Sequence, residues 1–429
     1  MHKIGRPLVD SASGFDVPVP LAQIPLVALY RSVRRATERL CAPLSAEDAV
    51  VQSMPDASPA KWHLAHTTWF FETFVLEPFL AGYEPRDPSY RVLFNSYYNT
   101  VGPMHSRPER GMLTRPSLEE VLAYRRVVDE ALEPLLLAGD HDAAVLDVVV
   151  LGLNHEQQHQ ELILTDIKHA LSRNPTLPVY HHRAPDRATA TLPLRWSTFD
   201  EGIREIGHQG GTFAFDNESP RHRVFVHAFE IALRPVTNGE YAEFIADGGY
   251  SDPALWLSDG WRWIRENGIT APLYWQQRDD RWHEFTLAGL REIDPAAPAC
   301  HLSFYESMAF AKWAGARLPT EQEWEVAAAS SPVEGNFADD GVFHPAASAT
   351  ERMFGGVWQW TASAYAPYPG YREPEGALGE YNGKFMSGQM VLRGGSCATP
   401  RAHMRATYRN FFYPEARWQF SGLRLARDI

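Results

Sequence analysis

The sequence has few cysteines and no long apolar run. Its 429 residues include three cysteines, Cys41, Cys300 and Cys397, which lie far apart and form no CxxC pair. Such a set argues against a disulfide scaffold and is typical of a protein from a reducing cytosol. The longest apolar runs, such as Val145–Leu153, are too short to span a membrane. Met1–Pro20 lacks the apolar segment of a signal peptide. We therefore expect a cytoplasmic protein that has no membrane partner.

Basic charge is also scarce. The 53 acidic residues outnumber the 40 lysines and arginines, which gives a net charge of −13. A nucleic-acid surface needs a concentrated basic face, and the arginines here are scattered. The sequence therefore predicts no nucleic-acid partner. Hydrophobic residues make up 45% of the chain and charged residues 22%, which is ordinary for a folded protein, and the length favours two domains.

The apolar spacing divides the chain into two parts. The first part has helical periodicity, and four substantial helices with modest connections favour a four-helix bundle. Asn174–Leu194 is rich in Pro, His and Arg and predicts a linker. The predicted domains are therefore a bundle at residues 20–173, a linker at 174–195 and a second domain at 196–429. The four predicted helices are Ile24–Leu40, Ala60–Leu80, Leu118–Leu137 and Ala143–Leu171.

From residue 196 onward the pattern of apolar and turn-forming residues is different. Short apolar stretches alternate with Gly, Pro, Asp and Asn turns, which indicates an α+β domain dominated by loops. The stretches are Gly207–Phe215, Val224–Ile231, Ala299–Leu302 and Val391–Gly395. Short helices are predicted at Asn238–Ala246, Phe304–Ala314 and Glu321–Ala329.

Two histidine pairs on predicted helices form a candidate metal site. His155 and His159 are four residues apart, so both imidazoles lie on one face and can reach one ion. His63 and His66 lie on another helix of the same bundle, and one of them could complete a three-histidine site. Three neutral imidazoles leave metal positions open for substrates, which suits Fe(II), although zinc also fits.

The same segment matches the HExxH pattern of zinc hydrolases, in which Glu156 would be the general base. No histidine follows at the offset of the usual third ligand in the metzincins. A zinc hydrolase therefore remains a distant alternative. A ligand-binding module without catalysis is a further one.

The connection after the first histidine helix carries two more candidate groups. Tyr97 and Tyr98 are adjacent, and a phenol beside a metal can donate a proton. Arg107 and Arg110 follow in a loop, where guanidinium groups could bind a carboxylate. Packing of the two rings and a solvated arginine loop are the competing interpretations.

Motifs in both parts resemble those of known families. Residues 62–66 and 155–159 resemble the DinB-like helical bundle. The second part resembles the formylglycine-generating-enzyme (sulfatase-modifying factor) fold, a C-type-lectin-like domain. Their joint order is similar to that of the ergothioneine-biosynthetic sulfoxide synthases. The matching segments of the second part are 211–218, 235–238, 317–325, 358–361, 393–396 and 421–424.

This resemblance implies a multidomain α and α+β fold and an oxidoreductase. It implies Fe(II) held by His66, His155 and His159, and O₂-dependent joining of a cysteine-type thiol to the imidazole of hercynine, with oxidation of the sulfur to a sulfoxide. Gln158 matches a position that contacts the imidazole. Asn410 matches one near the ammonium-bearing end of hercynine.

The resemblance also bears on the sulfur donor. Family members that use γ-glutamylcysteine have Trp-Asp after the asparagine that matches Asn410. This chain has Phe411 and Phe412 there, as in the branch of the family that resembles the cysteine-using members. That branch also carries the tyrosine pair. The expected donor is therefore free cysteine, with Tyr97 or Tyr98 as the proton donor.

Arg107 and Arg110 would then hold the carboxylate of the donor. Phe411 would face the quaternary ammonium of hercynine. Selenoneine synthases resemble this chain closely, so a selenosugar donor is an alternative, as is γ-glutamylcysteine. Ovothiol-pathway synthases fit less well, because they carry an added methyltransferase domain.

Overall fold

The computed structural model describes residues 25–138, 143–183 and 190–429. The predicted helix start at Ile24, the segment Met1–Pro20 and residues 184–189 of the predicted linker lie outside this part of the chain. The helices of the first half are α1 (Leu26–Cys41), α2 (Ala60–Phe71), α3 (Glu77–Phe79), α4 (Tyr90–Leu93), α5 (Leu118–Leu137) and α6 (Ala143–Ser172).

The four long helices α1, α2, α5 and α6 pack on one another and form the predicted helical bundle. Helix α2 is buried on every side, as expected for the central helix of a core. Helix α5 begins with a capping box, in which the Ser117 hydroxyl accepts from Glu120 N and the Glu120 carboxylate accepts from Ser117 N. This box satisfies two amides that would otherwise lack partners.

One predicted helix is interrupted. Ala60–Leu80 was expected to be continuous, but α2 passes at Glu72–Leu76 into a π-helical turn before the short α3. Pro78 lies two residues after the end of the turn. It has no N–H, and its ring would clash with the carbonyl of Phe74 in a regular helix. The wider turn accommodates it.

The second half is rich in small sheets. The strand order is β1-β4-β12 in one sheet, β10-β9-β8-β11 in another, β5-β6-β7 in a third, and β2 pairs with β3. The strands are β1 (Trp196–Phe199), β2 (Gly202–Ile206), β3 (His222–Val226), β4 (Phe229–Ala232), β5 (Trp275–Arg278), β6 (Arg281–Thr286), β7 (Gly289–Glu292), β8 (Trp358–Ala364), β9 (Met390–Arg393), β10 (Asn410–Phe412), β11 (Ser421–Leu423) and β12 (Ala426–Asp428).

Four helices accompany these strands, three of them as predicted to within one residue. They are α7 (Asn238–Ala246), α8 (Ser258–Glu266), α9 (Phe304–Trp313) and α10 (Glu321–Ala328). The helix α8 and the β5–β7 meander were not predicted. Of the apolar stretches, 224–231 and 391–395 supply strands, whereas 207–215 and 299–302 are irregular. The α and α+β architecture is the predicted one.

The two halves share one continuous apolar core. The buried carboxylate of Glu161 on α6 anchors the contact, because it accepts hydrogen bonds from Trp358 Nε1, Ser396 Oγ and Thr399 Oγ1 at 2.8, 2.6 and 2.7 Å. Helix α6 therefore presents its residues directly to the second half. Within the described residues, no helix has the length and apolarity needed to cross a bilayer.

Candidate metal and substrate site

Three buried histidines converge between α2 and α6. His155 Nε2 lies 3.2 Å from His66 Nε2 and 3.0 Å from His159 Nε2. The three side chains are 0 to 7% exposed, and one ligand nitrogen from each lies within 4.8 Å of the others. Two nitrogens held at about 2.1 Å from one ion at right angles lie roughly 3 Å apart. The spacing therefore fits a single metal ion.

Hydrogen bonds on the far side of two rings orient them for this role. His66 Nδ1 donates to the carbonyl of Phe94 at 2.6 Å, which leaves its Nε2 lone pair for a metal. The Asp166 carboxylate lies 3.1 Å from His63 Nε2, and His63 Nδ1 lies 2.7 Å from His159 Nδ1. Because a carboxylate only accepts, His63 donates to Asp166 through Nε2, and its Nδ1 accepts from His159. The Nε2 of His159 is then the free lone pair.

The electrostatics keep the three imidazoles neutral. Burial lowers the pKa of His66 and His159 well below the usual value, and it lowers the pKa of His155 to about 3. Neutral imidazole is the form that binds metals. Three lone pairs so close together repel one another unless a cation lies between them. The donor set therefore fits a divalent transition metal.

Glu156 does not face this centre. Its Oε2 accepts from Arg34 Nη1 at 3.0 Å and its Oε1 from Thr37 Oγ1 at 2.6 Å, and Arg125 Nη2 also donates to Oε1. These partners lie on α1 and α5, and with burial opposing them the arginines still hold the pKa of Glu156 at about 2. A carboxylate bound in this way cannot be the general base of an HExxH hydrolase. The alternative in which Glu156 is the general base of a zinc hydrolase is therefore wrong.

Gln158 lies one residue before His159 on α6 and meets two tyrosines from the second half. Its Nε2 donates to the Tyr408 hydroxyl at 2.7 Å, and its Oε1 accepts from the Tyr381 hydroxyl. The Tyr381 ring centroid lies 5.6 Å from that of His155. Sequence reasoning missed both tyrosines, because they come from irregular segments with no periodic signal.

The tyrosine pair lies beside the histidines. Tyr98 is fully buried and packs against Phe70, whose ring centroid lies 4.9 Å from that of His155. The Tyr97 ring lies 4.7 Å from Tyr98 and 6.0 Å from Tyr381. Burial raises the pKa of both phenols, so both carry their protons at neutral pH.

The two candidate arginines occupy different environments. Arg107 is exposed and donates to the carbonyl of Asp56. Arg110 is 3% exposed and donates to the hydroxyls of Ser58 and Ser96, each at 2.9 Å. Its Nε has no partner, and within the described residues no carboxylate forms an ion pair with it. Burial lowers the pKa of Arg110 to about 9.

The segment Asn410–Phe412 forms β10 at the edge of its sheet. The Phe411 ring stacks on Tyr365 at 4.0 Å and lies 6.1 Å from Phe385, which in turn packs edge-on against Tyr97 at 5.5 Å. The Asn410 Oδ1 accepts from the amide of Phe411, and the Phe412 ring packs on Trp418. Phe411 is thus linked to the tyrosine pair through one ring.

The cysteines of the second half are buried structural thiols. Cys300 and Cys397 are 3% and 0% exposed, and burial raises the pKa of both. Protonated thiols in an apolar setting are poor nucleophiles and metal ligands.

Comparison with known families agrees with the two-part fold. The profile of the sulfatase-modifying factor enzyme 1-like domain matches residues 199–351 and 340–429. The profile of the DinB superfamily matches residues 29–163. Both resemblances inferred from the motifs are thereby confirmed.

Individual proteins are also similar to this chain. The chain is 32% identical over 416 residues to the hercynine oxygenase of Mycobacterium tuberculosis. This alignment covers 87% of this chain and 92% of that protein. It is 28% identical over 231 residues to ergothioneine biosynthesis protein 1 of Schizosaccharomyces pombe, covering 50% of this chain and 28% of that protein. The structure of PvdO from Pseudomonas aeruginosa aligns with 56% of this chain and 100% of that chain, with 19% identity and a TM-score of 0.35.

Proposed function

Because this chain belongs to the hercynine oxygenase family, we propose that it joins cysteine to hercynine in ergothioneine biosynthesis with Fe(II) and O₂. The thiol loses its hydrogen and the imidazole carbon loses one. One oxygen atom becomes the sulfoxide and the other leaves as water. The observation that carries this proposal is the convergence of three buried, neutral histidine Nε2 atoms.

His66, His155 and His159 would hold the iron. Bound Fe(II) would supply oxygen activation and a position for the cysteine thiolate. The chain itself contributes the orientation of the ligands through Phe94 and His63, and the exclusion of water, since all three imidazoles are buried.

The remaining site residues are assigned to the substrates. Gln158 would contact the hercynine imidazole, while Asn410, Phe411 and Phe412 would lie toward its ammonium-bearing end. Support for a cationic substrate comes from the aromatic rings that connect Phe411 to Tyr97. Either Tyr97 or Tyr98 would deliver the proton.

Arg110 would bind the cysteine carboxylate. Its buried guanidinium lacks an acidic partner among the described residues, and a carboxylate would compensate that charge. Arg107, which is exposed and bonded to a backbone carbonyl, would act at most in the approach of the donor.

We also propose the domain limits 20–173, 174–195 and 196–429 and a cytoplasmic location. The end of α6 at Ser172 and the start of β1 at Trp196 support the limits. The location is supported by the three cysteines, all of which are free, as a reducing compartment requires.

The test is reconstitution with Fe(II) without air, addition of hercynine and cysteine, admission of air, and mass spectrometry. We expect the coupled sulfoxide, and its loss in His66→Ala and in zinc-loaded protein. Formation of cysteine sulfinate alone would overturn the donor assignment. Parallel arms with γ-glutamylcysteine and a selenosugar would then identify the donor that couples. No coupled product with any donor would overturn the proposed function.

A further inference from the structure

A chain of hydrogen bonds connects two residues of α6 through two residues of the second half. It starts at Asn154 on α6, passes through His403 and Tyr408, and ends at Gln158 on α6. The His403 Nδ1 lies 3.0 Å from Asn154 Oδ1, and its Nε2 lies 3.0 Å from the Tyr408 hydroxyl. Tyr408 then lies 2.7 Å from Gln158 Nε2. Both residues of the second half are buried, with His403 at 1% and Tyr408 at 4% exposure.

The first bond of the chain has a fixed direction. The Asn154 amide donates from Nδ2 to the carbonyl of Val150 at 2.9 Å, so its Oδ1 faces His403. Because that oxygen only accepts, His403 must carry its proton on Nδ1. The imidazole is neutral, since burial and the neighbouring Arg405 lower its pKa well below the usual value. Its Nε2 is therefore an acceptor.

The donor and acceptor roles of Tyr408 then determine the orientation of the Gln158 amide. Tyr408 donates its hydroxyl proton to His403 Nε2, so the phenol oxygen is left to accept. Only the amino group of Gln158 can donate to it, and this places the carbonyl oxygen of Gln158 toward Tyr381. An amide flipped by 180° would set its oxygen against the oxygen of Tyr408, which has no proton left to offer.

We propose that His403 and Tyr408 are positioning residues that fix the amide orientation of Gln158 for binding of the hercynine imidazole. The inference rests on the proposed function, which supplies the substrate. With one amino hydrogen bound to Tyr408 and one carbonyl lone pair bound to Tyr381, Gln158 presents one remaining donor and one remaining acceptor. An imidazole can engage either of them, its N–H with the carbonyl oxygen or its ring lone pair with the amino group.

The packing of these residues makes the test specific. The Tyr408 ring lies 5.4 Å from Trp358 and 5.6 Å from Phe215, and these contacts survive in Tyr408→Phe. Without the hydroxyl, the amide of Gln158 loses the partner that sets its direction. In His403→Gln the new side-chain carbonyl can still accept from Tyr408, whereas His403→Leu has no acceptor.

The experiment compares Tyr408→Phe, His403→Leu and His403→Gln as full-length, Fe(II)-loaded proteins. We expect the hercynine KM to rise on the order of tenfold in the first two, with the cysteine KM and the Fe(II) affinity unchanged. In His403→Gln the hercynine KM should stay close to that of the wild-type protein. Tyr180→Phe is the matched control, because it also removes a hydroxyl that bonds across the molecule, to the Leu40 carbonyl and not to Gln158.

The outcomes separate the two proposals. A hercynine KM that is unchanged in Tyr408→Phe, while wild-type protein couples hercynine, would overturn the positioning role. Equal rises in both KM values, or a similar rise in Tyr180→Phe, would indicate a general loss of structure and would also overturn it. Wild-type protein that couples no hercynine would overturn the proposed function itself, and the imidazole ligand of Gln158 with it.

Discussion

The guanidinium carbon of Arg110 lies 3.5 Å from the centre of the Trp62 ring, and the same indole stacks on the imidazole of His66 with centroids 4.5 Å apart. A buried cation is therefore held one ring away from a proposed metal ligand. The indole face stabilises the charge, which lacks an acidic partner among the described residues. The stack ties the loop that carries Arg110 to α2.

Replacement of Arg110 by Met should weaken cysteine binding selectively. A lost hydrogen bond to a charged group costs about 1.5–3 kcal/mol, so the cysteine KM should rise about 10- to 100-fold. The hercynine KM should change little. Steady-state kinetics with each substrate varied in turn measures both constants. Arg107→Met is the control, and an equal effect of the two substitutions would argue against a specific role for Arg110.

Residue spacing predicted the convergence of the histidines better than it predicted their surroundings. His155 and His159 follow from the i, i+4 geometry of a helix, since both must lie on one face. The residues alone could not choose between His63 and His66, because both belong to a helix that is buried all round. The resemblance to a known family made that choice. The structure adds that His63 supports His159 instead of facing solvent.

Other parts of the site carried no usable sequence signal. Tyr381, His403 and Tyr408 lie in loops more than 200 residues from Gln158, and no periodicity links positions so distant. Similarly, α8 and the β5–β7 meander escaped prediction, since short elements depend on tertiary pairing more than on local pattern. The apolar periodicity of Ala60–Leu80 does not reveal the π-helical turn after α2, which accommodates Pro78.

Replacement of His63 by Leu should weaken iron binding. His63 links His159 to Asp166, and loss of such an outer partner typically lowers metal affinity 10- to 100-fold. Anaerobic Fe(II) titration monitored by a competing chelator gives the affinity. His227→Leu, in the exposed connection between β3 and β4, is the matched control and should bind iron as wild type does. Wild-type affinity in His63→Leu would show that the bond to His159 does not orient the ligand.

Replacement of Glu156 by Gln should destabilise the fold and leave the chemistry of the site in place. The carboxylate neutralises two arginines inside the bundle, Arg34 and Arg125, and breaking a buried pair costs about 3–5 kcal/mol. Urea unfolding should report this loss, while folded protein should still bind iron and couple the substrates. Unchanged stability together with the loss of a zinc-dependent hydrolysis would instead restore the role of general base.

Replacement of the tyrosines by Phe should redirect the products. If a phenol delivers the proton that favours C–S bond formation, its loss should increase cysteine sulfinate at the expense of the coupled sulfoxide. Tyr97→Phe and Tyr98→Phe, each compared by mass spectrometry at equal oxygen consumption, identify which phenol acts. Because both rings are packed among aromatic side chains, Phe preserves the packing and removes only the hydroxyl. A double Phe variant with the wild-type product ratio would show that neither tyrosine supplies the proton, and Tyr381, whose ring is 5.6 Å from that of His155, would be the next phenol to replace.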